Sequence, residues 1–466
     1  MRAHRCAAKQ HCGRGVSRRQ FIAGASAASA GLLAGRCLAG AAASMPEVRP
    51  HGPASKCMPT VKACFVRRKG DYGMRWPGQV YDGEAARKRY ARQITETAKQ
   101  LHLKLDLLDK PIHNSQEADA WVAKAKAAKP DGLLVVLLDR QRHAWPTAYK
   151  AVDTKIPTVI FSPVGSSFTT NTARLSDQPG CFIASTDDFR QAAYGLKMIQ
   201  AKARLAATRC LVLKGGKRAD RSMQDLGIDL RYVPAREFLD LYKQTPESDA
   251  MRAMADDYLR RARRTTGANR QDVVNGARSY VVARTLLERE ACDAITMDCL
   301  GALGRSKVSL PCLAWSKMND DGVPAACEAD LGAVATHCLV QYLFDRPGFQ
   351  QDPVAETARV AIIGAHCCCA TRLDGFGHKP EPFDIVHHHG MRDATARPVW
   401  KLGQRVTSAD ILPGRKPGST RMLISAGEVI GNVDVPPAGG CVVSVMVKFD
   451  GVTDVLGYPG FHQVFF

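Results

Sequence analysis

Short apolar runs alternate with longer amphipathic stretches over residues 60–346, and this alternation predicts strands separated by helices. Residues 133–138 are apolar throughout, which is typical of a parallel strand buried on both faces. Residues 83–101 carry an apolar stripe with helical spacing instead. Alternating strands and helices indicate parallel sheets covered by helices. The predicted strands are 62–67, 103–108, 133–138, 157–162, 181–185, 209–214, 230–233, 294–297 and 311–315, and the predicted helices are 83–101, 115–129, 144–152, 187–203, 236–244, 248–263, 272–290 and 325–344.

The pattern changes after Pro347, where helical periodicity stops and short apolar runs follow one another between Gly- and Pro-rich turns. Such a succession predicts an antiparallel barrel or sandwich. The strands predicted here are 360–369, 398–402, 420–425, 441–448 and 460–466. The predicted fold class is therefore α/β, with two doubly wound α/β domains over residues 59–175 and 176–346 and a β-rich, barrel-like C-terminal domain over residues 347–466.

The N-terminal segment has the composition of a targeting signal. Its sequence SRRQFI, residues 17–22, resembles the twin-arginine export motif and is followed by a Gly/Ala-rich run. That run is too short to span a bilayer. Small residues at Ala39, Ala41 and Ala43 supply cleavage sites. We therefore predict that residues 1–43 are a signal peptide and that the mature chain is periplasmic.

Charge and cysteine content argue against nucleic-acid binding and against a disulfide-rich or zinc-ribbon protein. The formal net charge is +20, yet seven of the basic residues lie within 1–43 and the rest are dispersed. Nucleic-acid binding needs a basic stripe with aromatic residues, so we expect no such partner. The chain has 16 cysteines and no Cys-x-x-Cys pair. Many lie in apolar runs, which indicates buried thiols rather than a disulfide framework or a zinc ribbon.

Candidate metal ligands concentrate in residues 310–366. Glu328 falls in the first turn of the helix predicted from Ala325, Asp352 precedes a proline, and His366 lies in the strand predicted over 360–369. Carboxylates with an occasional imidazole suit a hard divalent ion such as Mn²⁺ or Mg²⁺. Each also has a structural explanation: Glu328 as a favourable charge at a helix N-terminus, Asp352 as a turn residue and His366 as a core histidine. The further candidates are Asp330, His387, His388, His389 and His462.

Four short segments carry a family resemblance. PCLAWSKMNDDGVPAACEAD (311–330), GFQQDP (348–353), AHC (365–367) and GFHQ (460–463) resemble the L-fucose isomerase and L-arabinose isomerase superfamily. The resemblance implies Mn²⁺, or another hard divalent ion, held by Glu328, Asp352 and His462. It also implies that Glu328 and Asp352 are the catalytic acid–base pair, and that the chain is a trimer or hexamer. The candidate substrate-binding residues are Trp76, Trp315, Lys317, Asn319, His366 and His388.

The expected function is that of a metal-dependent aldose–ketose isomerase acting on a deoxy-hexose or a pentose through an ene-diol. The export motif and the run Cys367 to Cys369 depart from what this family usually shows. Two alternatives remain open. A periplasmic sugar-binding or sensing protein would use the same pocket without turnover, and a metal-dependent lyase or epimerase would share the ene-diol chemistry.

Overall fold

The computed structural model describes residues 51–466, apart from 71–81, 141–142, 389–390, 435–439 and 461. The predicted signal peptide and the candidates Trp76 and His389 therefore lie outside the described residues, and all of them stay predictions. Within the described part of the chain, each helix is too short or too polar to cross a membrane.

The first sheet has five parallel strands in the order β2-β1-β3-β4-β5. Its strands are β1 (Thr60–Val66), β2 (Lys104–Leu107), β3 (Gly132–Leu137), β4 (Thr158–Ser162) and β5 (Cys181–Ser185). The helices that follow β1 to β4 along the chain are α1 (Gly83–Gln100), α2 (Ser115–Ala128), α3 (Ala144–Asp153) and α4 (Thr169–Thr172). The predicted strands and main helices of this domain are confirmed to within a few residues. We expected residues 181–185 to open the second domain, but β5 pairs with β4 because strand composition does not encode the pairing partner.

The second sheet has the order β11-β10-β6-β8-β7, and β7 runs antiparallel to β8 at its edge. Its strands are β6 (Arg209–Leu213), β7 (Ala219–Met223), β8 (Ile228–Val233), β10 (Ala294–Met297) and β11 (Ala325–Cys327). The helices of this part of the chain are α5 (Arg190–Ala206), α6 (Ala235–Gln244), α7 (Asp249–Arg261), α8 (Arg270–Arg289), α9 (Cys299–Leu303), α10 (Cys312–Asp320) and α11 (Leu331–Phe344). Of these, α5 packs on β3, β4 and β5 of the first sheet as well as on α11.

Two predictions in this domain are wrong. Residues 311–315 were predicted as a strand but open α10, and residues 325–327 were predicted as helix but form β11. Helix α10 is buried on nearly every side, so it shows no amphipathic stripe and resembles a buried strand in sequence. In β11 an Ala-Ala-Cys segment with no strand preference of its own pairs with β10, and tertiary pairing overrides its propensity.

The C-terminal domain contains a closed antiparallel barrel in the order β12-β13-β18-β17-β16-β19, which confirms the predicted barrel-like domain. The barrel strands are β12 (Phe349–Glu356), β13 (Ala361–His366), β16 (Arg405–Leu412), β17 (Arg421–Asn432), β18 (Val443–Phe449) and β19 (Gln463–Phe465). A separate sheet joins β9 (Thr265–Thr266) to β14 (Phe383–His388) and β15 (Arg392–Pro398). The strand predicted at 398–402 is wrong because β15 ends at Pro398, and β12, β14, β15 and β16 were not predicted.

A buried carboxylate joins α10 to the chain beyond β13. Asp320 Oδ1 accepts the backbone N–H groups of Thr371 and Arg372 at 2.8 and 2.7 Å, and the Thr371 hydroxyl donates to Oδ2 at 2.6 Å. Burial raises the pKa of Asp320 to about 6, while its hydrogen bonds oppose the rise. This clamp fixes the segment that follows Cys367 to Cys369.

Asp320→Asn should stabilise the protein above pH 6. The folded-state pKa of Asp320 lies above the value of 3.8 expected when unfolded, so ionisation of this carboxyl destabilises the folded protein. This destabilisation grows between pH 4 and 6 and reaches its full size above pH 6. Asparagine retains the oxygen acceptor and places its amide against the Thr371 hydroxyl. We expect the free energy of unfolding to rise by about 1–2 kcal/mol at pH 8. Urea titrations at pH 8 and pH 4 check this, and an equal effect at both pH values would contradict it.

Candidate functional site

The turn between β11 and α11 displays Glu328. Glu328 and Ala329 both adopt left-handed backbone conformations, with φ of 64° and 52°. Such values cost free energy in residues other than glycine and concentrate at functional sites. Asp330 then caps α11 by accepting the backbone N–H of Ala333 at 2.7 Å. Glu328 therefore precedes the helix, so its predicted place in the first helical turn is wrong.

Strand pairing in the barrel brings Asp352 to His462. Gln351 of β12 pairs with Gln463 of β19, so the neighbouring residues Asp352 and His462 meet at the same end of the strands. His462 Nε2 lies 3.0 Å from Asp352 Oδ1 and 3.6 Å from Glu328 Oε2. The two carboxylates and the imidazole that the family resemblance selected therefore converge, although 134 positions separate the first from the last in the sequence.

The second nitrogen of His462 is held by Asp330. His462 Nδ1 lies 2.9 Å from Asp330 Oδ2, and an ionised carboxylate in that position keeps the hydrogen on Nδ1. Burial lowers the pKa of His462, but Asp330 and Asp352 outweigh it and raise that pKa to about 10. Burial likewise raises the pKa of Asp330, but its interactions with His462 and with the Ala333 N–H together outweigh burial and leave that pKa lowered.

His366 lies on the opposite side of Glu328, at the end of β13. Its Nε2 is 3.8 Å from Glu328 Oε1, and its ring centre is 5.7 Å from that of His462. The ligand atoms of Glu328, His366 and His462 all lie within 4.8 Å of one another. Asp352 is outside this group and joins the site through His462. The Cys367 backbone N–H donates to His366 Nδ1 at 3.0 Å, which leaves the hydrogen on Nε2, facing Glu328.

The donor set fits a hard divalent ion. Metal–oxygen bonds of about 2.0–2.6 Å place neighbouring ligand atoms roughly 2.8–3.7 Å apart, and the two separations at His462 Nε2 fall in that interval. The His462 side chain is 1% exposed, whereas those of Glu328 and Asp352 are 33% and 39% exposed. A rigid imidazole thus stands behind two solvent-accessible carboxylates, which are free to rotate about an ion.

The other predicted substrate-binding residues that the structure describes make different contacts. Trp315 is fully buried within α10, and the buried Asn319 side chain bonds both backbone groups of Ala325. Lys317 pairs with Asp321 and lies over the Tyr280 ring. His388 is buried at the end of β14. Their roles in substrate binding stay predictions, and the contacts of Asn319 show that it holds β11 to α10.

Sequence reasoning included Asp330 among the candidates but missed its pairing with His462. The available signal was its position two residues after Glu328 and directly before an apolar helix, which favours an N-cap. An N-cap carboxylate has a second oxygen, and in this fold that oxygen bonds His462. The partner could not be inferred because it comes from the far end of the chain.

Thiols line the inner side of His366. The ligand atoms of Cys327, His366 and Cys368 lie within 4.8 Å of one another, and all three residues are buried. Cys368 Sγ is 3.5 Å from His366 Nδ1, and the Cys327 thiol lies next to the thiols of Cys368 and Cys299. The bond with Cys327 lowers the pKa of Cys368, burial opposes this and His366 adds to the lowering, which brings it to about 5.

Comparisons with known proteins add little to this geometry. No protein-family model matches the chain, and no curated protein matches it. Among solved structures, it is similar to GanP, a glucose-galactose binding protein from Geobacillus stearothermophilus, at 14% sequence identity and a TM-score of 0.19. The match covers 62% of this chain and 92% of that one. A likeness this low carries no argument about fold or function.

Proposed function

We propose that this chain is a metal-dependent aldose–ketose isomerase acting on a deoxy-hexose or a pentose. The observation that carries the proposal is the meeting of Glu328 and Asp352 at His462 Nε2, at 3.6 and 3.0 Å. This geometry was expected from the resemblance of four short segments to the L-fucose and L-arabinose isomerases. By the same resemblance and the export motif, we propose a periplasmic homo-oligomer, a trimer or a hexamer.

In an ene-diol reaction, the metal ligands and the two carboxylates of this site would have different roles. A hard divalent ion at this position, Mn²⁺ by resemblance, would polarise the two substrate oxygens at C1 and C2. Glu328 and Asp352 both lie within 3.6 Å of His462 Nε2, so one carboxylate can take the proton from one carbon and the other can return a proton to the neighbouring carbon. The hydroxyl proton moves between the two substrate oxygens in the same conversion. Their exposure lets a sugar reach both acids.

The histidines have different parts in this scheme. His462 Nε2 faces the acids while Asp330 holds Nδ1, which is the arrangement of a metal-binding histidine supported by a carboxylate. His366 directs Nε2–H toward Glu328 and is placed to donate to a substrate oxygen or to that acid. Because one substrate carbon is oxidised while its neighbour is reduced, the sugar undergoes no net redox change and the scheme needs no external electron carrier.

A sugar screen in deuterated water tests the proposal. The purified mature protein is incubated with Mn²⁺ and a panel of pentoses and 6-deoxy-hexoses, and ketose formation is followed by NMR. We expect one class of aldose to be converted, with deuterium entering at C1 of the ketose, because the proton taken from C2 exchanges with solvent before a proton is returned at C1. Binding of a sugar without conversion would support a sugar-binding protein and overturn the isomerase proposal. Cleavage or inversion of the sugar would identify a lyase or an epimerase instead.

A further inference from the structure

A second group of ligand atoms lies beside the carboxylate site and differs from it in chemistry. Cys327, His366 and Cys368 supply two thiols and one imidazole, with all ligand atoms within 4.8 Å of one another. Their relative exposures are 1%, 5% and 1%, so water is largely excluded from them. Sulfur and nitrogen donors select thiophilic ions such as Zn²⁺ and Cu⁺, whereas the neighbouring carboxylates select hard ions.

The ligands come from separate elements that the fold holds rigidly. Cys327 ends β11, where its backbone N–H donates to Gln350 Oε1 at 2.8 Å. His366 ends β13, and Cys368 follows two residues later, shortly before Thr371, which Asp320 holds. A site built on strand ends has little freedom to distort, which is what ordered coordination of a metal requires.

The distances match a tetrahedral metal. Bonds of about 2.3 Å to sulfur and about 2.05 Å to nitrogen separate the two ligand atoms by roughly 3.6 Å at the tetrahedral angle. Cys368 Sγ and His366 Nδ1 are 3.5 Å apart. The N–H of Cys367 donates to Nδ1, so this nitrogen carries a lone pair, as a metal ligand must. Nε2–H then faces Glu328, an orientation typical of metal-bound histidines.

Packing alone does not account for this group. Buried cysteines often act as small apolar residues, and Cys338 on α11 is an example in the core of the second domain. Burial of an imidazole among thiols is different, because an aliphatic residue would fill the space without removing polar atoms from water. The Cys299 thiol also contacts Cys327, so a fourth sulfur lies next to the three-ligand group.

We propose that Cys327, Cys368 and His366 Nδ1 bind a thiophilic d¹⁰ ion, Zn²⁺ or Cu⁺, directly beneath the carboxylate site. On binding, the ion displaces the two thiol protons to solvent and takes the place of the Cys367 N–H at His366 Nδ1. Neither the metal nor the sulfur atoms change oxidation state. The site is structural: it ties β11, β13 and the segment after β13 together behind Glu328. This proposal does not depend on the isomerase proposal, since it uses two thiols and the Nδ1 atom of His366 and selects another class of metal, while His366 Nε2 still faces Glu328.

Cobalt titration of the reduced mature protein tests the site. Co²⁺ bound by thiolates gives an intense near-ultraviolet charge-transfer band, whereas Co²⁺ held by carboxylates and imidazole gives none. We expect the band to saturate at one equivalent and to disappear when one equivalent of Zn²⁺ is added. Cys327→Ala and Cys368→Ala should abolish the band, whereas Cys338→Ala, which removes an equally buried thiol elsewhere, and Glu328→Gln should leave it. Elemental analysis of the protein as purified distinguishes zinc from copper.

A folded wild-type protein with no such band and no stoichiometric zinc or copper would overturn the proposal. A band that survives in folded Cys368→Ala would also overturn it. If either cysteine variant fails to fold by circular dichroism, anomalous scattering from zinc-soaked wild-type crystals decides the matter. A peak between Cys327, His366 and Cys368 supports the site, and a peak only at Glu328, Asp352 and His462 contradicts it.

Discussion

Glu328→Gln is expected to lower turnover of the sugar by about 10²–10⁴-fold, the usual contribution of a general acid or base. The amide has the same shape and cannot accept a proton from carbon at neutral pH. Glu328 also lies 3.6 Å from His462 Nε2, so the variant loses one charged metal ligand. Sugar binding should survive, because the left-handed turn that displays residue 328 is a property of the backbone.

Steady-state kinetics and calorimetric sugar binding, both at saturating Mn²⁺, separate the two effects. The matched control is Glu428→Gln, which makes the same change at an exposed position of β17 and should leave kcat unaltered. Wild-type turnover in Glu328→Gln would remove this residue from the mechanism. Loss of sugar binding with normal folding would show instead that Glu328 acts mainly in recognition.

Asp330→Asn should weaken Mn²⁺ binding by about 10–100-fold, as is typical when the carboxylate behind a metal-binding histidine is lost. Asparagine is as good an N-cap as aspartate, so α11 keeps its cap. In the variant, the side-chain oxygen of residue 330 accepts the Ala333 N–H, so its NH₂ group faces His462 Nδ1. Nδ1 must then accept a hydrogen bond, which reverses the histidine tautomer and places the hydrogen on Nε2. The lone pair that would bind the metal is then lost.

Mn²⁺ titration followed by electron paramagnetic resonance measures this effect. Asp82→Asn is the matched control, since Asp82 caps α1 in the first domain by accepting from Glu84 and Ala85. We expect the control to bind Mn²⁺ as the wild type does. Equal affinities in all three proteins would show that Asp330 is only a helix cap, and that His462 needs no orientation by its carboxylate.

Much of the architecture was predictable because it depends on local periodicity. The apolar run at 133–138 became β3, and the amphipathic stripe at 83–101 became α1. The errors fell where local preference is weak or misleading. Helix α10 is buried on almost all sides and so has no stripe, and the Ala-rich segment of β11 becomes a strand only by pairing with β10.

The residue types of the candidate site were also predictable from the sequence, whereas their contacts were not. Acids and histidines in a pattern shared with a known family identified Glu328, Asp352 and His462 as candidates before any geometry was available. Which groups touch His462, and through which nitrogen, depends on the register of β12 against β19 and on the turn after β11. Neither can be read from composition, because a register shift of one residue would move every side chain to the other face.

By itself, the sequence determined the succession of two α/β domains and a β-rich domain, the candidate ligands and the dispersed positive charge, because these follow from residue type and local spacing. The tertiary structure alone decided that Asp330 holds His462, that His366 lies between the carboxylates and the thiols, and that Cys327 meets Cys368. These contacts join residues far apart in the chain. Their formation depends on strand pairing and burial across the whole fold, which no local pattern encodes.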